Sequence, residues 1–275
     1  MLIHLICAAR PNFMKVAPLY HALKKEPWAD AVLVHTGQHY DVNMSDAFFE
    51  DLGLPLPDIY LDVKSGSHAE QTGRVMISYE RVLNDRRPDL VVVVGDVNST
   101  MAATIAATKL GITVAHLEAG LRSFDRSMPE EINRLVTDVL ADMLWTPSRD
   151  ASENLLKEGI SPDKIHMVGN IMIDSLEMLR SKIESRDVCR TFGLDAGEYG
   201  VVTIHRPSNV DSPIVLKKNL RDPSGNRREK ATHLSGPPKN QKADGGKLAS
   251  ASIGRIKESG YARTTQLCSL HESGL

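Results

Sequence analysis

Cysteine is scarce in this chain, and what little there is excludes two architectures. Cys7, Cys189 and Cys268 lie far apart with no C-x-x-C pair, so neither a disulfide framework nor a zinc ribbon is expected, and Cys7 reads as core filling. Long apolar runs are also missing. The opening M-L-I-H-L-I-C-A-A is cut off by Arg10 and Lys15, too early for a signal peptide or a membrane span, which predicts a cytoplasmic chain with no membrane partner. No G-x-G-x-x-G follows the first apolar run, so no dinucleotide cofactor is indicated. His39, His68 and His116 lack metal-ligand spacing such as H-E-x-x-H, and no metal site is expected. Charge of one sign is nearly absent in sum, at -2 over 275 residues. That balance conceals two unlike parts, because residues 1–220 carry a net -7 and residues 221–275 a net +5.

What is present is a regular alternation. Apolar runs rich in Val, Ile and Leu occupy Leu2 to Ala8, Ala31 to Thr36, Leu90 to Val94, Val114 to Leu117, Met143 to Thr146, Lys164 to Val168 and Gly200 to Ile204. Continuous runs of this kind are strands covered on both faces. Between them, Met14 to Lys25, Ser45 to Leu52, Ala69 to Asn84, Ser99 to Lys109, Glu130 to Leu140 and Ser148 to Glu158 carry apolar residues at helical spacing. Strand and helix in alternation predict an α/β fold with a doubly wound parallel sheet, whose ligands bind at the carboxyl ends of the strands.

Three strand exits concentrate polar chemistry. At the first, A-A-R-P-N-F-M-K places Arg10 and Lys15 around a helix start, where unpaired N–H groups favour an anion; solvated surface cations would equally account for the pair. At the next, V-V-V-V-G-D-V-N-S-T delivers Asp96 beside a glycine that admits close backbone approach, while Asn98 or Ser99 could cap the following helix. The third, V-A-H-L-E-A-G-L-R-S-F-D-R-S-M-P-E-E-I-N-R, gathers Glu118, Glu130, Glu131, Arg122 and Arg126. Within it Ser127-Met128-Pro129-Glu130 has the spacing of a capping box, which would explain Glu130 structurally and leave Glu131 an ordinary first-turn acid. Glu118, leaving a strand directly, has no such explanation.

Six ordered segments carry a resemblance: R-P-N-F-M-K-V-A-P-L, T-G-Q-H-Y-D-x-N-M-S-D, V-V-G-D-V-N-S-T, the Glu118 segment, V-G-N-I-M-I-D-S-L and T-I-H-R-P-S-N-V-D. Together, over residues 1 to about 215, they resemble the non-hydrolysing UDP-N-acetylglucosamine 2-epimerases. The resemblance implies a glycosyltransferase-B-like architecture of two Rossmann-like domains: an N-terminal catalytic domain over 1–170 and the start of a UDP-binding domain over 171–220. It implies interconversion of UDP-GlcNAc and UDP-ManNAc by elimination and re-addition of UDP, for surface polysaccharide synthesis. No cofactor and no nucleic acid take part, and an intact member is expected to be a homodimer. Carried over, Asp96, Glu118 and Glu130 join the acid/base set, His205 is counted with them at the sugar nucleotide, and Arg10 and Lys15 bind its diphosphate. Gln38, Gln71 and Arg74 fall in segments resembling the family's site for a second, regulatory UDP-GlcNAc. A glycosyltransferase of the same architecture, a UDP-diacetamido-sugar epimerase and a non-catalytic sugar-nucleotide-binding remnant are the alternatives.

The resemblance stops near Leu220. Residues 221–275 hold no Val, Phe, Met or Trp but seven Gly and seven Ser, a composition that resembles disorder rather than buried strands. The family's H-P-R and D-S-G-G segments are missing here. A basic, nucleic-acid-binding tail is the plain alternative, but its one aromatic, Tyr261, provides no stacking platform. Asn226 to Lys242 can be encoded so that the frame shifted by one base reads I-A-E-K-R-P-L-I-F-P-V-H-P-R-T-K, which is family-like. A frameshift just after Leu220 is therefore the expectation, and with it a chain of little or no epimerase activity.

Overall fold

The computed structural model describes residues 1–8, 10–37 and 49–186, together with the backbone of the strands at 199–203, 229–235 and 254–257. The chain divides into two compact units, Met1–Arg180 and Ser181–Leu275.

The first unit is built on one parallel sheet of seven strands. They are β1 (Leu2–Cys7), β2 (Asp30–His35), β3 (Ile59–Tyr60), β4 (Leu90–Val94), β5 (Thr113–Leu117), β6 (Met143–Thr146) and β7 (Ile165–Met167). Their order across the sheet is β3-β2-β1-β4-β5-β6-β7, with every pairing parallel. The six longer strands fall where the apolar runs predict them. The additional β3 has only two residues at the sheet edge, too few to make a pattern. The connections are helices: α1 (Arg10–Leu23), α2 (His68–Asp85), α3 (Asn98–Lys109), α4 (Pro129–Leu140), α5 (Arg149–Lys157) and α6 (Ile171–Ser185). Of the helix expected over Ser45 to Leu52, residues 49–52 are described and helical. This is the doubly wound α/β arrangement, and its strand order reverses between β1 and β4. At such a switch point the neighbouring chains leave the sheet in opposite directions and open a crevice at the carboxyl edge.

Burial follows from composition. All five residues of β4 are buried, as a strand covered on both faces requires. Val91, Val93, Val114 and Leu144 pack with Tyr79 and Leu83 of α2, with Ala103, Ala106 and Ala107 of α3, and with Leu155 of α5. Each such aliphatic side chain contributes roughly 1.5–3 kcal/mol by leaving water. Helix α1 buries Phe13, Val16, Ala17 and Tyr20, a single face at helical spacing. It carries Pro18 in its interior, which cannot donate to the carbonyl of Met14; the Ser175 hydroxyl of α6 donates to that oxygen instead.

In the second unit, β8 (Tyr199–Thr203) pairs parallel with β9 (Glu229–Ser235), and β9 pairs antiparallel with β10 (Gly254–Lys257). The last two strands lie inside the compositionally distinct segment 221–275.

Candidate active site

Three chain exits at the carboxyl edge bring Lys15, Asp96 and Glu118 of the expected residues around one turn. From β4 the chain turns at Gly95, whose φ of +68° lies in the left-handed region that a side-chain-bearing residue enters at a cost. A Cβ there would stand 3.3 Å from Lys15 Nζ, 3.7 Å from Asn12 Nδ2 and 3.7 Å from Glu118 Oε2. Glycine thus leaves room for three polar groups over the turn.

Lys15 and Glu118 form an ion pair across the crevice, joining α1 to the β5 exit. Both are largely withdrawn from solvent, at 17% and 12% exposure. Glu118 itself has φ +71°, uncommon for a non-glycine residue and the kind of strain that collects at functional sites. Its amide and that of Ala119 both donate to the Trp145 carbonyl at 3.1 Å, which holds the turn in place. Asn12, buried, accepts from the Ala8 amide at 3.3 Å and donates to the Val94 carbonyl at 3.1 Å, so α1 is tied to the ends of β1 and β4.

Asp96 pairs with Arg134 of α4. The same guanidinium reaches Glu131 at 2.8 Å. Asn133 donates to the Asp96 carbonyl at 2.8 Å and to Asn98 Oδ1 at 3.2 Å, and Asn98 donates to Gln71 Oε1 at 2.9 Å and contacts His68. Lys15 and Glu118 therefore stand over the Gly95 turn, and Asp96 is the next residue along the chain. Gln71 is linked to this turn through Asn98 and Asn133.

Three structural explanations offered by the sequence fail. The cap of α4 is Met128, with no side-chain bond to the helix; Ser127 Oγ instead donates to Asp125 Oδ1 at 2.6 Å. The capping box is not formed, and Glu130 stands exposed in the first turn of α4. Nor is Glu131 an ordinary first-turn acid. It is 2% exposed and accepts from the amides of Ser123 and Phe124, each at 2.9 Å, and from the Ser123 hydroxyl at 3.0 Å. Burial alone would raise its carboxyl pKa, but these donors and Arg134 hold it below the usual range. Likewise α3 is capped by Val97 rather than by Asn98 or Ser99; Ser99 lies within hydrogen-bond distance of the Thr36 hydroxyl at 2.9 Å.

Arg74 pairs with Glu70 at 3.6 Å on the exposed face of α2. Arg10 opens α1, with its side chain outside the described residues, as are Gln38 and His205. Residues that sequence reasoning left out are Asn12, Asn133 and Arg134, while Asn98 and Glu131 were read only as helix-start residues. Arg134 was discoverable in principle, since it lies one helical turn from Glu130 and Glu131. Among the described residues there is no cluster of three metal-ligating side chains, and no helix long and apolar enough to cross a membrane.

Comparison with known proteins bears directly on this arrangement. The profile of the UDP-N-acetylglucosamine 2-epimerase family matches residues 21–222, ending where the composition changes. A UDP-N-acetylglucosamine 2-epimerase of Methanocaldococcus jannaschii is 44% identical over 220 residues, 79% of this chain and 60% of that protein. The UDP-2,3-diacetamido-2,3-dideoxy-D-glucuronate 2-epimerase of Pseudomonas aeruginosa is 42% identical over 214 residues, 77% and 59% respectively. The crystal structure of the Methanocaldococcus jannaschii enzyme with UDP-GlcNAc and UDP aligns with a TM-score of 0.76 at 41% identity, covering 86% of this chain and 66% of that one. The chain spans about three fifths of the length of these curated relatives. With the family profile lying over most of its length, the chain belongs to the UDP-N-acetylglucosamine 2-epimerase family.

Proposed function

We propose that this chain carries the acid/base half of an enzyme that interconverts UDP-GlcNAc and UDP-ManNAc. The observation that supports it most is the pairing of two carboxylates with two cations, Glu118 with Lys15 and Asp96 with Arg134, around the Gly95 turn at the switch point. In the forward direction one carboxylate takes the proton from C2 while the C1–O bond to UDP breaks, leaving 2-acetamidoglucal and UDP. UDP then re-forms the C1–O bond as a second group returns a proton to C2 from the opposite face. Such chemistry needs an acid and a base on either side of the ring and cations for the departing diphosphate. Asp96, Glu118 and Glu130 supply the carboxylates in this reading, with His205, Arg10 and Lys15 at the nucleotide, and Gln38, Gln71 and Arg74 at a second UDP-GlcNAc.

Residues 1–170 are the catalytic part, 171–220 the start of a UDP-binding part, and 221–275 a segment displaced from the family by a frameshift after Leu220. The end of the family match at residue 222 supports this division. The nucleotide sequence across codons 215–275 tests it, and a reading with no H-P-R in the shifted frame refutes it.

The purified chain, incubated with UDP-GlcNAc, is expected to form little UDP-ManNAc. A chimera joining residues 1–215 to the remainder of the Methanocaldococcus jannaschii relative is expected to form it readily. A folded chimera that binds UDP but makes no UDP-ManNAc refutes the assignment. The Pseudomonas aeruginosa relative supports a second substrate, a UDP-diacetamido sugar, and competition between the two sugars in the chimera decides between them.

A further inference from the structure

We infer that His116 is a positioning residue, holding the Gly95–Asp96 turn against the Glu118 loop with both of its ring nitrogens donating hydrogen bonds. This rests on the reading of Asp96 and Glu118 as reacting acids.

His116 is fully buried in β5, two residues before Glu118. Its Nδ1 lies 2.6 Å from Asp138 Oδ1 and its Nε2 lies 2.9 Å from the carbonyl oxygen of Gly95. An ionised carboxylate and a peptide carbonyl can only accept. A neutral ring would therefore set a bare lone pair against one of two oxygens, whereas a ring with two N–H groups satisfies both. Asp138 is the ionised partner independently of the ring: burial opposes its charge, but the Arg122 guanidinium and the Gly120 amide, both on its other oxygen, favour it. Its other oxygen accepts from the Gly120 amide at 3.1 Å and from Arg122 Nη1 at 2.7 Å. Arg122 continues to Glu158 through two bonds of 2.8 and 2.6 Å. With a doubly protonated ring, the four groups His116, Asp138, Arg122 and Glu158 sum to zero charge. With a neutral ring they leave one net negative charge, which Glu158 at the partly exposed end of the network shares with solvent, so the two acceptor oxygens facing the ring rather than the charge sum decide its state.

The consequence reaches the crevice through Gly95. Its N–H donates to the Leu117 carbonyl at 3.1 Å while its carbonyl accepts from His116, so this left-handed turn is clamped on both sides to consecutive residues of β5. That clamp sets the spacing between Asp96, the next residue, and Glu118, the next residue but one after His116.

Ring-nitrogen NMR on the uniformly 15N-labelled chain near neutral pH tests the inference. One histidine is expected to show both nitrogens protonated, with slowly exchanging N–H protons; a bare nitrogen on His116 overturns it. In Asp138→Asn the side-chain oxygen turns to Gly120 and Arg122, so the ring is expected to become neutral while keeping its N–H to Gly95. An unchanged doubly protonated ring would show that Asp138 is not its acceptor. His116→Gln can still reach the Gly95 carbonyl, whereas His116→Asn reaches only Asp138. The Gly95 amide is therefore expected to exchange about tenfold faster in the Asn variant than in the Gln variant, the factor for one lost hydrogen bond, and equal exchange refutes positioning. If neither variant folds, the wild-type ring signals decide. None of these readouts depends on turnover, so a failed epimerase assignment leaves them standing and a bare ring nitrogen leaves the acid assignment untouched.

Discussion

Replacing Gly120 by alanine isolates how tightly the loop after β5 is seated. Gly120 has φ +79° and is buried, and a Cβ built there falls 2.3 Å from the Ala151 carbonyl oxygen, 2.8 Å from its carbon and 3.0 Å from Leu155 Cγ. Backbone cannot swing aside as a lysine tip can, so α5 or the loop must move. Gly159 is the control: its φ of +85° imposes the same left-handed strain, but a Cβ meets nothing within 4 Å. Left-handed alanine costs about 1–2 kcal/mol, and overpacking adds about 1–3 kcal/mol. Gly159→Ala is thus expected to lose about 1–2 kcal/mol and Gly120→Ala about 2–5 kcal/mol. The larger loss includes disturbance of the Gly120 amide bond to Asp138 and of the bond from Asn154 to the Gly120 carbonyl. Urea unfolding followed by the fluorescence of Trp145, whose carbonyl anchors Glu118 and Ala119, measures both. Gly120→Ala no less stable than Gly159→Ala would refute the reasoning.

Further outcomes follow from the same geometry. Glu131→Gln turns an amide group toward donors on whichever side it adopts, and is expected to cost about 2 kcal/mol in urea unfolding; a loss below about 0.5 kcal/mol would contradict the buried role of Glu131. Ser67 caps α2 in a formed capping box with Glu70, so Ser67→Ala is expected to cost about 1 kcal/mol, whereas Ser127→Ala, at a position that caps nothing, changes stability by less than about 0.5 kcal/mol. Burial holds His4 and His35 neutral, with pKa values pushed down to about 4. The unfolded chain therefore binds more protons between pH 6.5 and 4. Their stabilisation is complete above 6.5 and declines through that window by about 3 kcal/mol for each histidine; urea midpoints flat from pH 7 to 4.5 would refute it. His35 also accepts the Gly37 amide at 2.9 Å on Nδ1, a bond that protonation removes.

Much of the sheet was legible because parallel strands buried on both faces are continuous Val/Ile/Leu runs that need no context. The edge strand Ile59–Tyr60 was not, since its two residues pair with Val34 and His35 across a sequence separation that no local pattern records. At the candidate site, Asp96 and Glu118 were legible because each lies within two residues of a strand's carboxyl end. The failure at Ser127 is instructive. The pattern S-x-x-E was present, but Asp125 offered the Ser127 hydroxyl and amide a nearer acceptor, at 2.6 and 2.9 Å, and the helix began at Pro129 without a side-chain cap. Glu131 was misjudged for a related reason: its partners at Ser123 and Phe124 belong to the preceding loop, whose fold is not written in helical spacing.

Solvent-deuterium entry at C2 of UDP-GlcNAc is the most direct measurement of the proposed chemistry. With the chimera of residues 1–215 in deuterium oxide, the proton signal at C2 is expected to disappear as UDP-ManNAc grows in. Glu118→Gln and Asp96→Asn are each expected to slow that exchange by about 100-fold or more, the range for removing an acid/base group. Exchange at the unaltered rate in both folded variants would contradict the assignment of these two carboxylates to the reaction.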